Sequence, residues 1–280
     1  MRQEENTLRL TNACWRQQAE VIMATGFADS LARPDLLLNL MWAELTARYK
    51  TTAFGIVWFI VNPMVLMGIL VLVFGRVVHL NVPNYPSFVL SALLPWTFFQ
   101  MGLTNAAGSL TRASGLVKRV RIPREFVPLS ALMAGLVHFL ISLAMLFLMM
   151  WFQKARVSPL VIFLPVVIVI QLVFLTGAGL LMASLNVLYR DVEHMLSPAL
   201  QALFYFTPTF YPLSYVPKPW LRWYLINPMA GIIELYRNVL VAGWPPSMRV
   251  VQMAILTSLV TLVVGIFVFR RLEPQFDDCM

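Results

Sequence analysis

An all-α integral membrane protein is the fold class this sequence predicts, and three observations predict it. Hydrophobic residues make up 59% of the chain and charged residues only 12%, outside the range of soluble globular domains. The mean hydropathy is +0.75. The apolar residues also gather in long runs, and none of the thirteen Asp and Glu residues falls inside any of them. Barrel strands are a poor fit, because they show about ten residues of alternating polarity, whereas these runs are apolar on every side.

The N-terminal segment 1–33 reads as a cytoplasmic tail. It holds neither an apolar core nor a small-residue cleavage site, which predicts that no signal peptide is removed. From Pro34 to Thr51, Leu38, Met41, Trp42, Leu45 and Tyr49 recur at spacings of three and four, with Asn39, Thr46 and Lys50 opposite. Pro34 and Asp35 suit a first helical turn. This predicts an amphipathic helix over about 34–53 lying along a membrane surface.

The membrane-spanning body, 54–271, follows. Runs of about 20 apolar residues suffice to cross a hydrocarbon core about 30 Å thick. They are Phe54 to Gly75, Ser87 to Leu110, Phe126 to Trp151, Pro159 to Leu185, Ser197 to Leu213 and Val250 to Phe269, the fifth being the shortest. A further stretch, Asn227 to Ala242, is too short to cross and carries Glu234 and Arg237, most simply an ion pair one turn apart. Prolines 212, 217, 219, 228, 245 and 246 break its surroundings, while Tyr215, Trp220, Trp223, Tyr224, Tyr236 and Trp244 suit the headgroup level. A re-entrant hairpin over about 214–246, packed over an outer mouth, is the expectation. Gly177, Gly179 and Ala183 permit close helix approach, and His138 reads as an interhelical contact. The segment 272–280 reads as a second cytoplasmic tail.

Orientation follows from the basic residues, which favour the cytoplasmic side. Arg2, Arg9, Arg16, Arg33, Arg48, Lys50, Arg112, Lys118, Arg119, Arg121, Arg124, Arg190, Arg270 and Arg271 fall on one side, fourteen of the twenty-one. Both termini are therefore expected in the cytosol. Topology and anionic lipid account for most of the net charge of +8, which needs no nucleic acid to explain it. Cys14 and Cys279 sit in the polar tails, with no metal or disulfide spacing.

The function classes narrow from these features. Ion-driven uphill transport needs ionisable relays at membrane depth, and the apolar runs hold no carboxylate, so the energy comes from elsewhere. A membrane-embedded transferase would need paired carboxylates or a His and Asp set, and Asp191, Glu193 and His194 are the only compact candidates. No Gly is followed directly by Lys, so a phosphate-cradling loop is missing from the sequence. Two charged turns, Thr111 to Val127 and Leu188 to His194, imply a cytosolic partner.

Several motifs carry a resemblance. Trp42, Ala43, Glu44, Leu45, Thr46, Ala47, Arg48, Tyr49 and Lys50 running into Asn62 and Pro63 resemble the opening motif of polysaccharide-exporting type-2 ABC permeases, the O-antigen, capsule and teichoic acid exporters. Leu94 to Phe99, Arg121 to Glu125, Tyr189 to Asp191, and Asn227 to Met229 with Glu234 and Arg237 match further blocks in order, over roughly Leu36 to Arg271.

The resemblance implies six spans, an interface helix (Trp42, Glu44, Arg48, Tyr49), a re-entrant hairpin, and a homodimer docked on two ATP-binding subunits. Those subunits would hold ATP and Mg²⁺, leaving this chain without a cofactor. Lys118, Arg119, Arg121, Ile122, Pro123, Arg124 and Glu125, with Arg190 and Asp191, are the expected coupling residues. A lipid-linked glycan offers apolar ring faces, hydroxyl edges and often a pyrophosphate, so its conduit needs aromatic surfaces and few fixed charges. Trp58, Phe59, Phe204, Tyr205, Phe206, Phe210 and Tyr211 are the candidate lining. A type-2 ABC permease for a drug or small lipid shares the architecture and stands as the alternative. The expected location is the bacterial cytoplasmic membrane.

Overall fold

A computed structural model describes residues 34–49, 57–79, 82–115, 123–155, 157–242 and 247–276. The tail 1–33, the coupling residues Lys118, Arg119, Arg121 and Ile122, and residues 277–280 lie outside the described residues, as do the side chains of Arg48, Tyr49 and Phe59. The described residues are all-helical, as expected.

Helix α1 (Pro34–Tyr49) carries Asp35 in its first turn, where a negative charge favours the helix dipole. It does not divide cleanly into an apolar and a polar face. Met41 and Leu45, one turn apart, are buried against Ala134, Met133 and Val137, while Leu38 and Trp42 face away from the protein. One apolar stripe therefore seats the helix on the bundle, and the other leaves Trp42 63% exposed.

The bundle proper comprises α2 (Val57–Leu70), α3 (Tyr85–Arg112), α4 (Phe126–Phe152), α5 (Leu164–Leu188), α6 (Asp191–Phe206), α7 (Lys218–Ile226), α8 (Pro228–Arg237) and α9 (Met248–Leu272). Helix α2 contains Pro63 and continues as a π-helix over Val71–Val77. Asn227 caps α8, its side-chain oxygen accepting from the Met229 amide, with Pro228 in the first turn where its missing N–H costs nothing. Ser247 caps α9 in the same way through the Val250 amide.

Helix α3 is the hub, packing against α4, α5, α8 and α2. Most of its residues are buried, whereas almost none of Ile60–Val77 are. Lipid tails give no hydrophobic drive for helices to associate, so packing and interhelical hydrogen bonds must hold them. Ring contacts supply the first: Trp96 lies 5.4 Å from both Phe99 and Phe204, Phe99 lies 5.5 Å from Phe174, and Phe98 lies 5.0 Å from Phe139. Each such pair contributes about 0.5–1.5 kcal/mol beyond area burial. Tyr236 Oη donates to Gln171 Oε1 at 2.7 Å, and Gln171 Nε2 donates to the Pro95 carbonyl at 2.8 Å, which ties α8 and α5 to α3.

Among the described residues, five helical segments are long and apolar enough to cross a membrane: Ile60–Val77, Tyr85–Arg112, Phe126–Phe152, Pro159–Leu188 and Met248–Gln275. The expected fifth run, Ser197 to Leu213, takes a different form. Helix α6 begins upstream at Asp191, with Asp191 and Glu193 in its first turn, and ends at Phe206. Thr207 is extended, and a turn containing Pro208 and Pro212 replaces the remainder. At 16 residues α6 is about 24 Å long at 1.5 Å per residue. The segment expected to form a hairpin holds two short helices with different surroundings. Helix α8 is buried against α3, α5 and α9, whereas α7 exposes Trp220 and Trp223.

Candidate functional site

Helices α2, α3 and α4 line an open cavity of about 500 Å³, with the exposed Ser197 of α6 at its edge. Its lining combines Trp58, Phe98 and Phe139 with Asn62, Thr97, Gln100, Thr104, Asn105, His138, Ser142 and Ser197, and holds no Asp, Glu, Lys or Arg. Several hydroxyls are already committed to helix backbone: Thr97 donates to the Leu94 carbonyl, Thr104 to that of Gln100 and Ser142 to that of His138. The side-chain amides of Asn62, Gln100 and Asn105 make no hydrogen bond among the described residues, so their donors and acceptors are available to an occupant. Neutral hydrogen-bonding groups beside aromatic faces suit a polyhydroxylated chain, and the lack of a fixed charge means an anionic group is not trapped.

A second cavity, about 620 Å³, opens at the end of the bundle where α3 begins. Phe206, Tyr211, Tyr215, Trp220, Trp223 and Tyr224 line it, with Asn227 among them. Its frame is the turn following α6, which is held from several sides. Arg237 is only 2% exposed and donates to the carbonyls of Thr209 at 2.6 Å and Tyr211 at 3.1 Å, and its guanidinium lies 3.9 Å from the centre of the Phe88 ring. Glu234 accompanies it at 3.7 Å, the expected one-turn ion pair. Tyr85 Oη donates to the Phe210 carbonyl at 2.7 Å, and Asn227 Nδ2 donates to Thr207 Oγ1 at 2.9 Å. The hydroxyls of Tyr211 and Tyr224 meet at 3.1 Å, joining the turn to α7.

The candidate lining residues thus divide. Trp58 borders the first cavity, and Phe206 and Tyr211 border the second. Phe204 packs on Trp96 and Phe210 stacks on Phe74 at 4.8 Å, so both serve the protein's own packing, while Tyr205 is largely exposed. Sequence reasoning passed over the neutral polar lining, although Thr97, Gln100 and Thr104 stand at helical spacing within α3 and mark one stripe.

At the opposite end Arg112, Arg124, Arg190, Arg270 and Arg271 come together, joined by chain direction and by contacts between helix ends. Glu125 is buried and lies 3.6 Å from Arg270. Burial raises its pKa above the usual carboxylate value, and the Arg270 charge only partly opposes the rise. Arg124 donates to the Glu273 carbonyl at 2.8 Å and faces the Phe276 ring at 5.9 Å, so the segment before α4 is fastened to the end of α9. Arg190 and Asp191 are exposed at the start of α6, and Glu44 is half-buried on α1. A contact that sequence reading missed is Arg112 with Glu193, at 3.2 Å. Among the described residues no His, Cys, Asp and Glu group is arranged to hold a metal ion.

Residues 35–241 match the family model described as ABC-2 type transporter. Over 246 residues the chain is 31% identical to the O-antigen export system permease protein RfbA of Myxococcus xanthus, covering 87% of this chain and 94% of that one. A protein of the same name from Klebsiella pneumoniae is 27% identical over 247 residues, covering 88% and 95%. The polysialic acid transport protein KpsM of Escherichia coli is 24% identical over 239 residues, covering 84% and 92%.

Proposed function

We infer, since the chain belongs to the ABC-2 type transporter family, that it is the multi-pass membrane permease of a polysaccharide exporter, with ATP bound by a separate subunit. The permease itself is a transport component rather than an enzyme. In finer detail, the reading is a homodimer of this chain joined to two ATP-binding subunits in the bacterial inner membrane, moving a lipid-linked O-antigen, capsule or teichoic-acid-like polymer outward. In that arrangement α6, lengthened by its following turn, completes six spans, and α7 with α8 forms the re-entrant hairpin on the outer side.

The observation that carries the substrate class is the charge-free cavity of hydroxyls, amides and aromatic rings between α2, α3, α4 and α6. It offers hydrogen bonds to sugar hydroxyls and flat surfaces to sugar rings. The gathering of Arg112, Arg124, Arg190, Arg270 and Arg271 at one end supports a cytoplasmic placement of that end, of both termini and of the docked ATP-binding subunits. Pro123, Arg124 and Glu125 with Arg190 and Asp191 are the described part of the proposed coupling surface, and Lys118, Arg119, Arg121 and Ile122 complete it. Trp42, Glu44, Arg48 and Tyr49 belong to a helix that seats the bundle at the inner leaflet.

Deleting the gene in its host tests this directly. Loss of surface glycan together with a lipid-linked precursor retained inside the cell is the expected result, and undiminished surface glycan overturns it. Copurification of an ATP-binding subunit that hydrolyses ATP tests the partner.

A further inference from the structure

We propose that Arg112, Glu193 and Asn186 form a mechanical joint that carries motion from the segment after α3 into α6, with Arg112 and Glu193 acting as positioning residues for transport. This rests on the reading that an ATP-binding subunit docks at this end of the bundle.

Three helix ends meet here. Arg112 closes α3 and leads into the segment that precedes α4, while Glu193 stands in the first turn of α6. Arg112 Nη1 lies 3.2 Å from Glu193 Oε1, and its Nη2 donates to the Asn105 carbonyl at 2.8 Å. Asn186, near the end of α5, donates through Nδ2 to the Ala107 carbonyl at 3.1 Å and accepts from the Glu193 amide at 3.0 Å. The ion pair is 81 residues apart in sequence, so it reports tertiary placement rather than local helix chemistry. Gly108 supplies the room: a Cβ there would strike the Arg112 guanidinium and the Glu193 carboxylate.

The joint bears on the cavity from both sides. Asn105, whose carbonyl receives Arg112, lines it from α3. Ser197, one helical turn beyond Glu193 and therefore on the same face of α6, lines it too. Helix α6 buries only Leu196 and Leu200 fully, and its main packing contact, Phe204 on Trp96, lies near its far end. A displacement of Arg112 thus bears on the wall of the cavity through the first turns of α6, while the far end of that helix stays anchored by Phe204 on Trp96. Arg112 and Glu193 are 51% and 37% exposed, and exposed pairs contribute little to stability, so a structural role alone gives a poor account of the arrangement.

The test reads α6 directly. Cys14 and Cys279 are replaced by Ser, Gln201→Cys is introduced on the same exposed stripe of α6, and the chain is purified with its ATP-binding subunit. The rate of labelling by a water-soluble maleimide is then compared with and without ATP and vanadate. The expected ratio is about fivefold or more in the otherwise unaltered chain. It should fall to near unity in R112E, E193R and the milder R112Q and E193Q, fall likewise in G108A, and return in R112E/E193R. No response in the starting chain, an undiminished response in the single variants, or no return in the double variant overturns the joint while leaving the partner reading intact. Failure of the ATP-binding subunit to copurify with the unaltered chain sinks the partner reading, and the joint with it.

Discussion

Gly177 and Gly265 face each other where α5 crosses α9, so closely that a Cβ on Gly177 would run into the backbone at Thr261 and Leu262, and one on Gly265 into the Gly177 carbonyl. The glycine at 177 was readable as a packing position, and its partner is now identified. Gly177→Ala or Gly265→Ala should push the helices apart at a cost of about 1–3 kcal/mol, the usual penalty for overpacking. Thermal melting of the detergent-solubilised protein checks it, and an unchanged midpoint in both variants would contradict the contact.

The parts of the fold legible in the sequence share a cause. Four of the predicted runs correspond to α2 through α5 and another to α9, because an uninterrupted apolar run of that length has few alternatives to a spanning helix. Helix α6 was harder to place. Its polar first turn belongs to the helix through the charges on Asp191 and Glu193, whereas the apolar residues after Phe206 belong to a turn set by Thr207, Pro208 and Pro212. Apolarity alone could not separate these. The aromatic residues singled out beforehand were scattered between two cavities and the packed interior, since an aromatic ring in a membrane helix fits lipid, neighbour and conduit equally well. The Thr97, Gln100 and Thr104 stripe was visible but lay within a run counted for its hydropathy. The Arg112 and Glu193 contact depends on how three helix ends meet, which no local pattern encodes.

Arg237 anchors the turn after α6 through two backbone carbonyls and the Phe88 ring, and only a planar fork can reach the Thr209 and Tyr211 carbonyls together. Arg237→Ala strands those groups and leaves Glu234 without its partner, a loss of about 3–5 kcal/mol for breaking a buried pair. Arg237→Lys keeps the charge but not the fork, so its melting temperature should fall between those of the alanine variant and the unaltered chain. Equal melting of the lysine variant and the unaltered chain would show that charge alone suffices.

The cavity makes a separate prediction about transport. Gln100 is half-buried and lines it without serving the fold as a hydrogen-bond donor. Gln100→Trp should fill part of the space and cut surface glycan about tenfold or more, as misplacing or blocking a substrate by a few ångströms commonly does. The variant should still insert and copurify with its ATP-binding subunit. Normal surface glycan with Gln100→Trp, measured by immunoblot, would remove this cavity from the conduit.

Glu125 offers a pH test at the opposite end. Its folded pKa lies above the ordinary value of 4.5, with burial as the main cause and Arg270 opposing it. A group raised in this way contributes stability that is fully present below the ordinary value and is lost as pH rises through the folded value. The unaltered protein should therefore lose stability relative to Glu125→Gln on passing from below 4.5 into the neutral range, where the amide can neither ionise nor incur that desolvation cost. Because Arg270 is about half exposed, water can replace the carboxylate as its partner, so the amide variant suffers little from the lost ion pair. Melting curves of both proteins across the acidic and neutral range decide the matter. A gap between them that narrows as pH falls is expected, and a gap that widens would mean the Arg270 attraction outweighs burial.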